Sequence, residues 1–433
     1  MTATDTHRAI DAVWRIEQAK LIAGLTRIVR DIGLAEELAQ DALVAALEQW
    51  PRSGIPDNPG AWLMAAAKHR AIDVFRRNSL RERKHEQLGY ELEVEQETGQ
   101  ADLDAALDNH VGDDLLRLVF IACHPILSPE ARAALTLRLL GGLSTDDIAR
   151  AFLIPAPTVQ QRIVRAKRTL SDSRVPFEVP RADELEARLS SVLSVIYLIF
   201  NEGYSATAGE DWMRPQLCQE ALRLGRILAE LAPKEAEVHG LVGLMEIQAS
   251  RFAARTGPSG KPVLLLDQDR ARWDQLLIRR GLAALERAEG LNAVQGRTPG
   301  PYVLQAAIAA CHARARSAEQ TDWAQIVGLY TRLGEVTPSP VVELNRAVAL
   351  AMLFGPVAGL NVVDALTADP ALKTYHLLPS VRGDLLRKLG RFDEARAEFE
   401  RAAGLTQNER ERRLLLDRAV ACTVESDDQK NPQ

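Results

Sequence analysis

The sequence predicts an all-α protein, and three observations carry that reading. Aromatic residues make up only 5% of the 433 residues, while 46% are hydrophobic, with much Ala and Leu, a composition of helix formers. Apolar residues recur at three- and four-residue spacing, as on one face of a helix. Capping residues, Gly or Pro bound these runs. The length suggests roughly two to four domains with real cores.

The first clear stripe is Leu34, Leu38, Ala42, Leu43, Ala46 and Leu47, a helix that Trp50-Pro51 is expected to end. A Pro/Gly loop follows, RSGIPDNPG. Asn58 then serves as N-cap and Pro59 opens the next helix. In that helix Trp62, Ala65, Ala66, Ile72 and Phe75 are expected to face inward. From Trp62 to Gly89 there are seven Lys/Arg against three acids: either a solvated face or one that follows a phosphate backbone.

Charge is unevenly distributed. The chain carries −6 overall, but residues 1–89 carry +1, residues 90–114 carry −9 with no basic residue, and residues 115–174 carry +5. Phosphate binding needs local rather than global positive charge, so both flanking blocks are candidates. The acidic stretch lacks a sustained apolar period and reads as an extended, self-repelling linker. It either solvates the chain or mimics nucleic acid in a basic channel of a partner.

Residues 128–170 carry the pattern of a helix-turn-helix. Ser128-Pro129-Glu130 supplies an N-cap, a first-turn proline and a first-turn acid, and Gly141-Gly142 closes that helix. Ser144 with Asp147 has capping-box spacing and starts a short helix ending near Ala151. The turn FLIPAP follows, and Thr158 with Gln161 repeats the spacing at the start of the second helix. That helix is expected to turn Gln160, Gln161, Arg162, Arg165, Lys167 and Arg168 outward and Val159, Ile163 and Leu170 inward. A short helix, a tight turn and a basic second helix suit the major groove, where Gln and Arg pair bidentately with adenine and guanine.

Together the two blocks resemble the extracytoplasmic-function (ECF) RNA polymerase sigma factors. AEELAQDALVAALEQW is similar to the core-polymerase-binding helix of their region 2, and NPGAWLMAAAKHRAIDVFRR to the segment that opens and reads the −10 element. From Ser128 to Lys167 the chain follows their region 4 motif: S-P-E-x-R-x-x-L, then G-L-S-x-x-(D/E)-I-A, then T-V-x-x-R-I-x-R-A-(K/R). The resemblance implies region 2 at 1–89, an acidic linker at 90–112 directed toward the RNA exit channel, and region 4 at 113–175. It implies that Glu37, Leu38, Gln40 and Asp41 dock on polymerase, and that Trp62, Lys68, His69, Arg70, Arg76 and Arg77 serve the −10 element. The loop Pro51–Asn58 corresponds to the segment that captures a flipped base. Thr158, Gln160, Gln161, Arg162, Val164, Arg165 and Arg168 fall on the face that reads the −35 element. His69 stands where the family commonly has Asn, and FLIPAP replaces the commoner L-G-hydrophobic-Pro turn.

The family's minimal members would stop near Ser173, yet about 260 residues follow. Arg174–Pro180 reads as a boundary, and residues 181–425 as a helical extension. Gly383, Leu386, Gly390, Phe392, Ala395, Phe399 and Ala402 fall at the small and large positions of a tetratricopeptide repeat, whose stacked helix pairs offer a face to a protein or peptide. The segments YLIFNEGYSA (197–206), LLLDQDRARWD (264–274), GPYVLQAAIAACHARA (300–315) and TPSPVVELNRAVA (337–349) resemble the sigma-factor subgroup with such an extension. Asn201-Glu202 and Asp267–Arg270 could gather a ligand or metal, although buried ion pairs and caps are the favoured reading.

The expected partners are core RNA polymerase and promoter DNA, with no membrane. No nucleophile elbow, phosphate loop or zinc motif is present, so no enzyme, metal or cofactor is expected. The four Cys are widely spaced, without C-x-x-C, against a disulfide framework. No charged-then-apolar leader opens the chain, and the longest apolar stretch, near Val192–Phe200, is about half a bilayer span; a cytoplasmic protein is expected. The competing reading is a helix-turn-helix regulator with a ligand- or protein-sensing helical domain. It has no use for a strand-opening helix.

Overall fold

A computed structural model describes residues 3–86, 111–152, 154–206, 208–209, 212–257 and 261–430. Most of the acidic linker therefore lies outside the described residues. The chain divides into two compact units, Met1–Ile196 and Tyr197–Gln433.

In the first unit, α1 (Ala3–Val29), α2 (Ile32–Ser53) and α3 (Pro59–Glu86) pack on one another. Leu21, Ile22 and Leu25 of α1, Leu38, Ala42, Ala46 and Trp50 of α2, and Leu63, Ala67 and Ala71 of α3 are buried. Each large apolar side chain so buried contributes about 2 kcal/mol. Asp31 caps α2 by accepting the Leu34 N–H at 2.7 Å. Asn58 caps α3 as expected, accepting the Ala61 N–H at 3.1 Å.

Two expectations are corrected here. Trp50-Pro51 does not end α2, which runs to Ser53 with Pro51 in its last turn. The stop is Gly54, whose φ of 86° suits glycine and whose N–H reaches Trp50 O at 3.0 Å. In α3 the inward stripe is Leu63, Ala67 and Ala71, while Ala65, Ile72 and Phe75 are exposed. Ala67 and Ala71, small residues four apart, let α3 lie close to its neighbours, and with Leu63 they take the core-facing stripe in place of Ile72 and Phe75.

Helices α4 (Val111–Ala122), α5 (Pro129–Leu139), α6 (Thr145–Phe152) and α7 (Ala156–Asp172) form the helix-turn-helix module. Ser128 caps α5 through the Ala131 N–H at 3.3 Å. The Ser144–Asp147 capping box is formed: Ser144 Oγ accepts the Asp147 N–H at 3.1 Å, and Asp147 Oδ2 accepts the Ser144 N–H at 3.1 Å. Thr158 does not cap α7. That helix begins two residues earlier, with Pro155 at the cap and Pro157 in the first turn, where proline's missing N–H costs no hydrogen bond.

Helix α8 (Ala182–Tyr204) crosses the division between the units. Its first turns belong to the helix-turn-helix module: Arg188 Nη2 donates to Phe120 O at 3.1 Å, and Ser191 Oγ to Cys123 O at 2.7 Å. The compact boundary thus falls later than the Arg174–Pro180 composition break.

The second unit is a succession of helices, each packed on its neighbour: α9 (Pro215–Leu231), α10 (Ala236–Ala249), α11 (Gln275–Gln295), α12 (Pro301–Arg314), α13 (Trp323–Val336), α14 (Pro340–Phe354), α15 (Pro356–Leu366), α16 (Leu377–Lys388), α17 (Phe392–Leu405) and α18 (Glu409–Lys430). The small and large positions read from sequence meet across α16 and α17. A Cβ on Gly383 would lie 2.9 Å from the Phe399 ring, and Leu386, Ala395, Phe399 and Ala402 are fully buried. A two-residue parallel pairing joins Ala208–Gly209 to Gln407–Asn408, fixed by buried Asn408, whose Nδ2 donates to Ala206 O at 3.1 Å.

Candidate nucleic-acid interface

On α7, Val159, Ile163, Ala166 and Leu170 face the module's core. Gln160, Gln161, Val164, Arg165 and Arg168 are exposed, while Thr158 and Arg162 are half-buried. The exposed residues form one continuous face of amides and guanidiniums around a methyl-bearing Val164, suited to base edges. Arg168 also pairs with Asp172 at 3.4 Å. Lys167 departs from the expectation: it turns away from that face and pairs with Glu36 of α2.

On α3, His69 and Arg76 are exposed, and Trp62, Lys68 and Arg70 half-buried; the side chain of Arg77 lies outside the described residues. Trp62 packs edge-on against Trp50, ring centroids 5.3 Å apart, and Arg70 Nη1 pairs with Asp41 Oδ2 at 2.9 Å. Sequence reasoning did not place Ile72 and Phe75 at the surface. They are 43% and 44% exposed beside the basic residues, an apolar platform on a positive face of the kind that holds unstacked bases. The signal was available: Phe75 directly precedes Arg76-Arg77, and an exposed aromatic among cations is seldom a core residue.

On α2, Glu37 and Asp41 are exposed, and Gln40 is half-buried with its Nε2 donating to Glu36 Oε1 at 2.8 Å. Leu38 is corrected: at 2% exposure it belongs to the core and offers a partner no surface. Sequence reasoning also passed over Glu36. This carboxylate, 3% exposed, accepts from Arg138 Nε at 2.6 Å and pairs with Lys167, so α2 is tied to both α5 and α7. Gln18 Nε2 donates to Arg138 O at 3.2 Å. Arg27 pairs with Asp114 at 2.9 Å, and Asp114 with Arg117 at 2.8 Å.

Among the described residues no group of three or more His, Cys, Asp or Glu is gathered as a metal would require. All four cysteines are buried and free; burial pushes the Cys123 thiol up to about 11, keeping it protonated and inert. Glu202 pairs with Arg214, and Asp269 caps the turn at Ala271 N–H, 2.9 Å away. No described helix is long and apolar enough to cross a membrane.

A family model for sigma-70 region 2 matches residues 14–81, and one for sigma-70 region 4 matches residues 117–170. The chain belongs to the ECF sigma factors. Residues 188–289 match a family of unknown function, DUF6596. An uncharacterized protein of Rhizobium meliloti (strain 1021) is 43% identical over 416 residues, 95% of this chain and 96% of its own. The probable ECF RNA polymerase sigma factor SigI of Mycobacterium tuberculosis is 28% identical over 176 residues, 41% of this sigma factor and 59% of SigI. The ECF RNA polymerase sigma factor SigK of Mycobacterium sp. (strain KMS) is 26% identical over 163 residues, 36% and 77% of the two chains. A helix-turn-helix regulator does not account for the region 2 match, so that alternative is set aside.

Proposed function

We propose that this sigma factor directs core RNA polymerase to promoters through three surfaces. Glu37, Gln40 and Asp41 of α2 face the polymerase. The basic side of α3, with His69, Arg76, Arg77 and the apolar pair Ile72 and Phe75, takes the unpaired −10 strand, with Trp62, Lys68 and Arg70 behind it. Residues Gln160, Gln161, Val164, Arg165 and Arg168 of α7 read the −35 element, with Thr158 and Arg162 at the edge. Polymerase supplies the nucleotidyl transfer, so the sigma factor needs no catalytic group. It works in the cytoplasm, where polymerase meets the chromosome.

The observation that carries the reading is the face of α7: its apolar stripe is spent on the core, and its amides and guanidiniums point outward together. The test is transcription from a promoter library by purified protein with core polymerase. Start sites should share an upstream element whose recognition is lost in Gln161→Ala and Arg165→Ala. Failure to bind core would remove the reading.

The second unit modulates that activity through a partner of its own, a protein, peptide or smaller ligand. Because Arg188 and Ser191 hold the DNA-reading module, a truncation that tests this must keep α8. Removing residues 205–433 should change promoter output, and unchanged output under all conditions would refute a regulatory role.

A further inference from the structure

The second unit contains a cavity of about 530 Å3 walled by α8, α10, α12, α13 and α14. That size lies within the range of small-molecule sites. Its wall is partly apolar, with Leu244, Ile308 and Val342, and partly polar, with the exposed amides of Asn201 and Asn345. Tyr197 is held in place by donating its hydroxyl to Gln305 Oε1 at 3.1 Å.

Two wall residues carry buried polar atoms with no hydrogen-bond partner: Arg251 Nε and His312 Nδ1. An unsatisfied buried donor costs on the order of 1–3 kcal/mol, more when charged. The Arg251 guanidinium lies 5.6 Å from the Tyr204 ring and 5.8 Å from the Trp273 ring, and among the described residues no carboxylate pairs with it. Its neighbours are differently placed. Arg270 gives its fork to His312 O at 2.7 Å, Ala315 O at 2.8 Å and Thr321 Oγ1 at 3.0 Å, and Arg255 donates to Tyr204 O. Three guanidiniums thus set a positive field in which one retains an uncommitted Nε. A planar carboxylate meets a guanidinium with two parallel hydrogen bonds, and a single uncommitted fork suits a monoanion better than a phosphate dianion.

We propose that this cavity binds a small organic carboxylate. Arg251 holds its charged group, Asn201 and Asn345 its polar substituents, and Leu244, Ile308 and Val342 its hydrocarbon. The same helix, α8, carries Asn201 in this wall and, earlier in its sequence, Arg188 and Ser191 on the DNA-reading module. The inference deepens the regulatory reading of the second unit, but its test reads binding rather than transcription, so either can fail without the other.

The test is calorimetry on the full-length protein with benzoate and with N-benzoylglycine, against the uncharged N-benzoylglycinamide and against phenyl phosphate. One carboxylate should bind saturably, one per chain, with Kd near or below about 1 mM, and at least about tenfold more tightly than the amide. Arg251→Gln should weaken it by at least about tenfold, with Arg251→Lys between. Should Arg251→Gln fail to fold, Asn345→Asp, at an exposed position, places a repelling charge on the wall and should weaken binding comparably. Equal affinity for acid and amide, no loss in a folded variant, tighter binding of phenyl phosphate, or no saturable binding of either carboxylate would overturn the assignment.

Discussion

Glu36 of α2 lies 2.6 Å from Arg138 of α5 and also pairs with Lys167 of α7. One buried carboxylate therefore joins the module that resembles the polymerase-binding half to the module that reads DNA. A −10 and a −35 element lie roughly 25 base pairs apart, or roughly 85 Å along a duplex rising 3.4 Å per step. If the two modules take these two elements as proposed, the contact parts on the promoter. Residues 87–110, 24 in all, can reach about 80 Å when fully extended.

Glu36→Gln should loosen the docked state by about 3 kcal/mol, because it leaves Arg138 and Lys167 facing each other without their carboxylate. Dyes on Gln49→Cys and Ser173→Cys, both exposed positions, report the separation, and the four native thiols are buried and will not compete. Energy transfer in the free protein should fall in Glu36→Gln, and in the unsubstituted protein on adding core polymerase. Unchanged transfer in the variant would mean that other contacts hold the modules together.

The −35 face yields a second prediction that separates two kinds of contact. Arg165→Ala should cost about 1–3 kcal/mol on the preferred sequence and relax selectivity at one base position. Arg168→Ala should weaken binding to all sequences alike and reduce the salt slope by about 1, as loss of a phosphate contact does. Anisotropy titrations over a salt series, on cognate and scrambled duplexes, distinguish them. Equal behaviour of the two variants would place both residues on the backbone.

The helix starts were legible because capping chemistry is local: Ser128 and Ser144 in the helix-turn-helix, and Asn58 before α3, each act within three residues of themselves. Most of the errors have a different cause. Ile72, Phe75 and Lys167 were placed by side-chain type, yet their exposure is decided by which stripe the neighbouring helices accept. Leu38 was placed on polymerase by resemblance alone, although its own apolar stripe put it inward. Once Leu63, Ala67 and Ala71 fit closely, Phe75 is carried to the surface whatever its hydrophobicity. Lys167 was expected to face outward because nothing in its own helix reveals Glu36, more than a hundred residues earlier. Arg251 escaped notice for the same reason: only the fold shows which arginines have already found acceptors.

Phe75 offers a third prediction, because its two possible roles give opposite signatures. As an exposed platform for an unstacked base it contributes about 1–3 kcal/mol to single-strand binding, while its removal changes stability by no more than about 0.5 kcal/mol. As a core residue it would do the reverse. Phe75→Ala should therefore lower promoter opening by the holoenzyme, read by permanganate reactivity of the −10 region, and leave the urea midpoint of the free protein unmoved. A shifted midpoint with normal opening would return Phe75 to the core.

His312 should make the second unit acid-sensitive. Its ring packs edge-on against Trp323 at 5.3 Å. Burial first, and then the charges of Arg251 and Arg270, lower its pKa to about 4. In the unfolded chain the imidazole titrates near 6.5. Between these values the unfolded state binds the extra proton, so stability rises with pH there. It is complete above about pH 6.5 and is lost as pH falls toward about 4, by up to about 1.4 kcal/mol per unit and on the order of 3 kcal/mol in all. His124 in the first unit, lowered to about 4 by burial and by Arg188, shifts in the same direction but is common to both proteins in a comparison with His312→Asn. Urea unfolding followed by tryptophan fluorescence across this window should show the variant losing less stability than the unsubstituted chain at each step downward. Parallel curves would assign the acid sensitivity to another group.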